Sequence, residues 1–291
     1  MIKNLLKLEL LKEIFNQPTT QKFIAICEEI SKTKTTGIIN GIGVNFSNNE
    51  IESVKLYYGF HEPLTDKEIN QLHIFGEPST FYQLEKKLST KDYAWADYYP
   101  TGISFALKVD KFFNFSFGHF MMPKIEKNDL FFTLPQIIEH YQTNNSLPIY
   151  PRKGIFTLIN QEGTTHQKDY FYIINPKLKQ KIGSEFNVAT SLVPSIEWVL
   201  GKGFYSGSSP DDEKIVLQSN YNEVYQNIIK KEQNQFIKKF NETMHKKYKM
   251  HCVCPGYYKK REIKSYYYLN SKIKNPKNIE SISVLNKLLQ Q

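Results

Sequence analysis

The sequence is poor in cysteine, tryptophan and arginine, and it contains no long apolar run. Its 291 residues include three cysteines and two tryptophans, and Arg152 and Arg261 are the only arginines. Three cysteines do not make a disulfide framework. No segment approaches the roughly 18 apolar residues of a membrane-spanning helix. The first 16 residues interleave apolar and charged side chains, which predicts no signal peptide. We therefore expect a soluble, cytoplasmic protein that contacts no membrane.

Positive charge is abundant and comes almost entirely from lysine. The chain carries 38 basic and 29 acidic residues, and residues 230–291 hold 15 of the basic and four of the acidic ones. The rest of the chain is therefore close to neutral. The basic stretch 230–264 could bind nucleic acid phosphates. It contains no zinc-finger, helix-turn-helix or RNP-like sequence, so nucleic acid stays an alternative partner that we do not expect.

Hydrophobic periodicity alternates along the chain between that of helices and that of strands. Segments 2–16 and 20–34 predict two amphipathic helices broken at Pro18. Thr65 and Glu68 form a capping box that predicts a helix to about Phe75. Further helices are predicted over 80–88, 133–141, 177–186, 221–248 and 278–290. Five pairs of strands lie between the helices. They cover 41–46 and 51–60, 101–110 and 113–122, 154–161 and 169–176, 195–205 and 213–219, and 249–258 and 262–270.

Five hairpins alternating with helices predict an α+β fold in which ten antiparallel strands close into a barrel surrounded by helices. Ten strands enclose more space than the eight whose side chains just fill a barrel. No linker divides the chain, so we expect a single domain over 1–291. It would consist of N-terminal helices over 1–35, the five hairpins over 41–270 and a C-terminal helix over 278–290.

Strand alternation separates apolar residues from lysines and tyrosines. In the strand 51–60, Val54, Leu56 and Tyr58 share one face, and Lys55 and Tyr57 share the other. The same reasoning selects residues on four other strands. They are Lys108, Tyr170, Tyr172, Lys214, Lys264, Tyr266 and Tyr268.

Lysines and tyrosines inside a closed barrel suit one kind of chemistry. Lysine is a compact cation that binds phosphate. A tyrosine ring face stabilises a cation by about 0.5–2 kcal/mol. A closed barrel also excludes the water that would quench a carbocation. These are the requirements for ionising an allylic diphosphate.

The order of elements resembles that of the ABBA-type aromatic prenyltransferases, in which five αββα units form a ten-stranded barrel. The strands VKLYYGF (54–60) and EIKSYYYLN (262–270) are similar to the Arg/Lys-x-Tyr strands on which that family holds diphosphate. The resemblance implies a prenyltransferase of secondary metabolism, acting on a prenyl diphosphate and an aromatic small-molecule or peptide acceptor. It implies diphosphate binding by Lys55, Lys108, Lys214 and Lys264. It also implies a cation shield made of Tyr57, Tyr170, Tyr172, Tyr266 and Tyr268.

The sequence leaves the proton acceptor and the cofactor open. Glu197 alternates with Ile196 and Trp198, so its carboxylate could point into the barrel and accept a proton from the substrate. Magnesium stays open as a cofactor, and Asp211-Asp212 is a carboxylate pair with no partner cluster. Cys252 and Cys254 lack a second cysteine pair, so we predict no metal site. We expect a monomer. A barrel that binds a hydrophobic or anionic ligand without catalysis is the alternative.

Overall fold

A computed structural model describes residues 2–34, 38–47, 50–60, 65–72, 75, 104–121, 152–162, 165–188, 196–203, 213–248, 252–259 and 263–270. The strands of these segments form a closed antiparallel barrel. Each strand pairs with its neighbours in the chain, and the first strand pairs with the tenth, with Val44 opposite Tyr266. The predicted fold class is therefore confirmed.

The ten described strands follow one another in chain order around the barrel. They are β1 Ile38–Ser47, β2 Glu50–Phe60, β3 Ser104–Asp110, β4 Phe115–Met121, β5 Arg152–Asn160, β6 Thr165–Tyr172, β7 Glu197–Gly203, β8 Lys214–Asn220, β9 Cys252–Tyr258 and β10 Ile263–Asn270. The hairpins turn at one end of the barrel, which we call the turn end. At the opposite end, which we call the helix end, described helices lie in the connections from β2 to β3, from β6 to β7 and from β8 to β9.

The described helices include two at the N-terminus and four between strands. They are α1 Ile2–Asn16, α2 Pro18–Lys32, α3 Asp66–Leu72, α4 Pro176–Glu185, α5 Tyr221–Asn227 and α6 Gln235–Tyr248. The capping box of α3 forms as predicted: the Thr65 amide donates to Glu68 Oε2 at 2.7 Å, and the Glu68 amide donates to Thr65 Oγ1 at 3.3 Å. Within the part of the chain that the structure describes, no helix is both long and apolar enough to cross a membrane.

Strand β6 lies four residues earlier than predicted. The prediction extended it to Pro176, whereas it ends at Tyr172 and α4 begins at Pro176. The side chain of Asn175 accepts the Lys177 amide at 2.9 Å, which caps the helix. Proline is favoured in the first turn after such a cap. The Asn-Pro pair is therefore a helix start and not the end of a strand.

The predicted long helix over 221–248 is wrong, because the chain breaks it into three pieces. Helix α5 ends at Asn227, a 3₁₀ turn spans Ile229–Lys231, and α6 begins at Gln235. Asn234 Oδ1 accepts the amides of Phe236 and Ile237 at 3.1 and 3.2 Å, so α6 has its own N-cap. The lysines of this stretch consequently do not lie along one helix.

The hydrophobic core lies outside the barrel, between the strands and the helices. On β2 the outward residues Val54, Leu56 and Tyr58 are fully buried. Phe23 of α2 packs edge-on against Tyr58 and Phe117, with ring centroids 6.0 and 6.2 Å apart. Apolar burial of this kind is the main stabilising contribution. The opposite face of each strand is thereby left to line the barrel interior.

The predicted helices over 80–88, 133–141 and 278–290 lie outside the described residues, as do parts of the predicted strands.

Candidate functional site in the barrel interior

The inner face changes character from the turn end to the helix end. Cross-strand partners in an antiparallel sheet share a face, so the register assigns the inner residues, and their order is compared along each strand. Near the turn end the inner residues are polar: Asn45, Ser53, Asp110, Ser116, Asn160, His166 and Ser265. The next inner residue toward the helix end is a lysine on β2, β3 and β6, and Leu158 on β5. Aromatic and small residues follow toward the helix end: Tyr57, Ala106, Gly118, Phe156, Tyr170, Tyr172, Val199 and Val216.

Four lysines, which we call the inner lysines, gather in this interior. They are Lys55, Lys108, Lys168 and Lys214. Lys55 and Lys108 are direct cross-strand partners on β2 and β3. Burial is the main cause that lowers the pKa of Lys55 to about 7, Tyr267 opposes the shift, and the other three inner lysines add to it. A concentration of positive charge away from bulk water favours an anionic ligand.

Lys214 is surrounded by tyrosine rings. Its side chain is buried, and its ammonium donates to the Tyr267 hydroxyl at 2.6 Å. The ammonium also lies 4.7, 5.5 and 5.8 Å from the ring centroids of Tyr267, Tyr170 and Tyr258. Lys168 lies over the ring of Tyr258 at 4.8 Å. These rings can therefore stabilise a positive charge at this level of the barrel.

The rings of Tyr57 and Phe156 continue the aromatic wall toward the helix end. The ammonium of Lys55 lies 4.8 Å from the Phe156 centroid. Tyr57 is 6.5 Å from Phe156 and 5.8 Å from Tyr267, measured between ring centroids. Burial and the adjacent Tyr267 raise the pKa of Tyr57 well above its ordinary value, so its hydroxyl remains protonated. The wall is aromatic and uncharged directly beside the inner lysines.

Seven of the residues singled out from the sequence lie on the inner face, as predicted. They are Lys55, Tyr57, Lys108, Tyr170, Tyr172, Glu197 and Lys214. Glu197 lies at the helix end opposite Gln218. Burial, together with the nearby Glu197 carboxylate, raises the pKa of Tyr172. Glu197 is thus separated from the inner lysines along the barrel axis.

The other three selected residues lie on the outer face, so their expected inward orientation is wrong. Lys264 donates to both carboxylate oxygens of Glu232 at 2.8 and 2.9 Å, and the Tyr266 hydroxyl donates to the same carboxylate at 3.1 Å. The Tyr268 hydroxyl donates to Asn241 Oδ1 of α6 at 2.8 Å. These side chains connect β10 to the helices around it because burying a polar group requires a partner.

The structure adds residues that the sequence did not single out. Tyr267 occupies the inner face of β10 in place of its two neighbours, and Tyr258, Lys168 and Phe156 join it. The signal for Tyr267 lay on β1, where Ile42, Val44 and Phe46 are apolar and the alternate positions are glycine or asparagine. Because partners in register share a face, the residues of β10 opposite these glycines and asparagines face inward, and those opposite the apolar residues face outward.

The described residues do not form a metal site. No three His, Cys, Asp or Glu side chains of the described segments come together to hold an ion. The ligands that magnesium prefers are carboxylate and other oxygen donors, whereas the middle of this interior presents ammonium groups. The described residues therefore do not fit magnesium, and Asp211 and Asp212 lie outside them.

Comparison with known proteins supports the fold through structure and not through sequence. No protein-family model and no curated protein matches the chain. The prenyltransferase PriB, solved with L-tryptophan and dimethylallyl thiolodiphosphate, matches with a TM-score of 0.52 at 7% identity, over 92% of this chain and 95% of that one. The 5-dimethylallyltryptophan synthase from Streptomyces coelicolor matches with a TM-score of 0.53 at 7% identity, over 92% and 96% of the two chains.

A likeness at this identity establishes architecture and leaves activity to be argued from the site. The match runs through nearly the whole of both chains, and the strands form the closed ten-stranded antiparallel barrel predicted from the sequence. The chain has the fold of the ABBA-type aromatic prenyltransferases.

Proposed function

We propose that the protein is a prenyltransferase that transfers a prenyl group from an allylic diphosphate to an aromatic or other electron-rich acceptor. The observation that carries the proposal is the order of residues along the inner face: polar side chains, then the inner lysines, then an aromatic wall. An allylic diphosphate has the matching order, an anionic head followed by an apolar chain.

In this proposal the inner lysines hold the diphosphate. Lys55 and Lys108 face each other across β2 and β3, and Lys214 approaches the same level from β8. Four ammonium groups offset the charge of a diphosphate without a metal ion. They also stabilise the leaving group when the carbon–oxygen bond breaks, because the departing oxygen gains negative charge at that moment.

The tyrosines and Phe156 flank the allylic cation that remains. Tyr57, Tyr170 and Tyr172 share the inner face beyond the lysines, and Tyr258 and Tyr267 already lie within cation–π distance of an ammonium. A carbocation at this position is stabilised by ring faces and shielded from water.

The acceptor then attacks the cation from the helix end. A carbon–carbon bond forms between acceptor and prenyl group, and the acceptor loses one proton. We propose Glu197 as the group that takes this proton, since it lies on the inner face at the helix end. The aromatic acceptor is consistent with the L-tryptophan of the PriB complex, and the anionic site with the diphosphate product in another PriB structure, which matches with a TM-score of 0.52 at 6% identity over 91% of this chain.

Ligand titration followed by turnover tests the proposal. Dimethylallyl and geranyl diphosphate should raise the melting temperature, and isoprenol should not. A ligand at about 100 times its Kd adds roughly 2.7 kcal/mol to the stability. Incubation with a panel of aromatic acceptors should then release inorganic diphosphate and give prenylated products by mass spectrometry.

Two matched lysine variants locate the site. Lys108→Met should abolish the stabilisation, whereas Lys264→Met should preserve it, because Lys264 pairs with Glu232 on the outer face. Binding without turnover on any acceptor would favour the non-catalytic barrel. If no diphosphate stabilises the protein, or if Lys108→Met binds as tightly as the wild type, the proposed site is wrong.

A further inference from the structure

Three glycines on the inner face lie directly beneath aromatic rings. A Cβ built on Gly43 would lie 2.8 Å from Tyr267 Cδ1, and one built on Gly201 would lie 2.9 Å from Tyr170 Cε1. A Cβ on Gly118 would overlap Phe156, with Cε2 at 2.9 Å and Cζ nearer still. Real Cβ atoms do not approach a ring so closely, so each ring occupies space that any other residue would fill.

The consequence is that these rings lie against the wall of the barrel. A ring that covers a glycine lies closer to the backbone than a ring that covers a larger residue could. Any side chain at the glycine would tilt the ring into the interior, because the wall behind it is continuous sheet.

The pair Gly118 and Phe156 lies beside Lys55, where the aromatic wall continues toward the helix end. The Phe156 ring covers Gly118, and the Lys55 ammonium lies 4.8 Å from the ring centroid. Leu158 also covers Gly118, since its Cδ1 would lie 3.2 Å from a Cβ at 118. Because the sheet lies behind Gly118, a displaced Phe156 ring moves into the interior, where Lys55 lies and where an apolar chain would leave the lysines.

We propose that Gly118 and Phe156 together set the length of the prenyl chain that the barrel accepts, which makes them specificity-determining residues. This inference rests on the proposed function, because it assumes a diphosphate at the inner lysines and a chain running toward the helix end. Phe156 forms the part of the wall that the first isoprene unit passes, and Gly118 provides the space into which that ring recedes.

The test compares affinities for inorganic diphosphate, dimethylallyl diphosphate and geranyl diphosphate by calorimetry. In Gly118→Ala the preference for geranyl over dimethylallyl diphosphate should fall by about tenfold, the usual effect of one misplaced methyl group in a packed site. Affinity for inorganic diphosphate should stay within about threefold, because the lysines are untouched. In Phe156→Ala the preference should shift toward the longer chain.

The double variant Gly118→Ala/Phe156→Ala establishes whether the glycine acts through the ring. It should match Phe156→Ala alone, since the added methyl then meets no ring. Gly256→Ala is the matched control, because the atoms nearest to its Cβ would belong to Ser265 and to the Ile215 backbone. It should leave the chain-length preference unchanged. Melting temperatures report whether each variant is folded.

The outcomes separate this inference from the proposed function. Suppose that the wild type binds allylic diphosphates. If Gly118→Ala then keeps the wild-type preference, or if the double variant still shows the reduced preference for geranyl diphosphate, the chain-length inference is overturned and the site stands. If the wild type binds no allylic diphosphate at all, both are overturned.

Discussion

Replacing Lys55 with methionine should stabilise the protein at neutral and acidic pH. The pKa of Lys55 falls from 10.5 to about 7, mainly through burial. A shift of this size corresponds to about 5 kcal/mol of unfavourable free energy for the charged form in the folded state. The half-buried side chain faces a polar interior that can relax around the charge, so we expect a gain of roughly 2–3 kcal/mol. Methionine keeps the length of the side chain and removes the charge.

The sign of the pH dependence follows from proton binding. Between about pH 7 and 10.5 the unfolded chain holds a proton on Lys55 that the folded chain has lost. Wild-type stability therefore rises with pH in this window, by at most about 1.4 kcal/mol per pH unit from this group. Below pH 7 both states are protonated and the whole penalty is present. The advantage of Lys55→Met should accordingly be largest at pH 6 and should shrink toward pH 9.

Urea denaturation at pH 6, 7, 8 and 9, followed by circular dichroism, measures this effect. Lys111→Met is the matched control, because Lys111 is a half-exposed lysine in a surface ion pair with Glu52 at 3.2 Å. Surface pairs of this kind contribute about 0–1 kcal/mol, so the control should show no comparable gain. If Lys55→Met destabilises the protein at pH 6, or if its effect is the same at pH 6 and pH 9, the account of the inner lysines is refuted.

Three further predictions concern buried polar contacts. Tyr267→Phe removes the hydroxyl that accepts from Lys214 at 2.6 Å and should lower the unfolding free energy by about 1–3 kcal/mol, whereas an unchanged urea midpoint would contradict this contact. Glu232→Gln weakens the pairing with Lys264 on the outer face and should cost a similar amount in urea without changing diphosphate affinity; a loss of affinity would place this pair in the site. Burial raises the pKa of Glu68, but hydrogen bonds from Lys34, Thr33 and Thr65 outweigh burial and lower this pKa to about 2. The roughly 3 kcal/mol that the ionised Glu68 contributes to stability should therefore be lost as the pH falls from about 4.5 to 2. Acid unfolding of Glu68→Gln should lack that component, and identical acid curves would exclude it.

The barrel could be predicted from the sequence because its signals are local. Alternating apolar and polar residues on both sides of a polar turn predict a hairpin. Five antiparallel hairpins leave few ways to pair the hydrogen-bonding groups of the edge strands other than closing the sheet. Thr65 and Glu68 likewise predict a helix start from two residues. The inward orientation of Lys55 and Tyr57 followed from the apolar residues between them, since Val54, Leu56 and Tyr58 require burial against helices.

The inner face of β10 could not be assigned in that way. Three consecutive tyrosines, 266 to 268, place an aromatic ring on both faces, so alternation within the strand does not choose between them. The choice is made by the partners of β10 in the sheet. Gly43 lies opposite Tyr267 on β1 and leaves room for its ring, whereas Val44 lies opposite Tyr266 in the outer core. Such pairing is a property of register, which the sequence of one strand does not contain.

A second signal, far from β10 in sequence, bears on the same choice. The apolar stripe of 221–248 passes through Val224, Ile228, Phe236 and Phe240, and at the intervening position it carries Glu232. A carboxylate on a buried stripe requires a cationic partner, because burying an unpaired charge is costly. Glu232 therefore predicts a lysine facing outward from the barrel, and Lys264 is that lysine. Requiring a partner for each buried charge would have moved Lys264 to the outer face and Tyr267 to the interior.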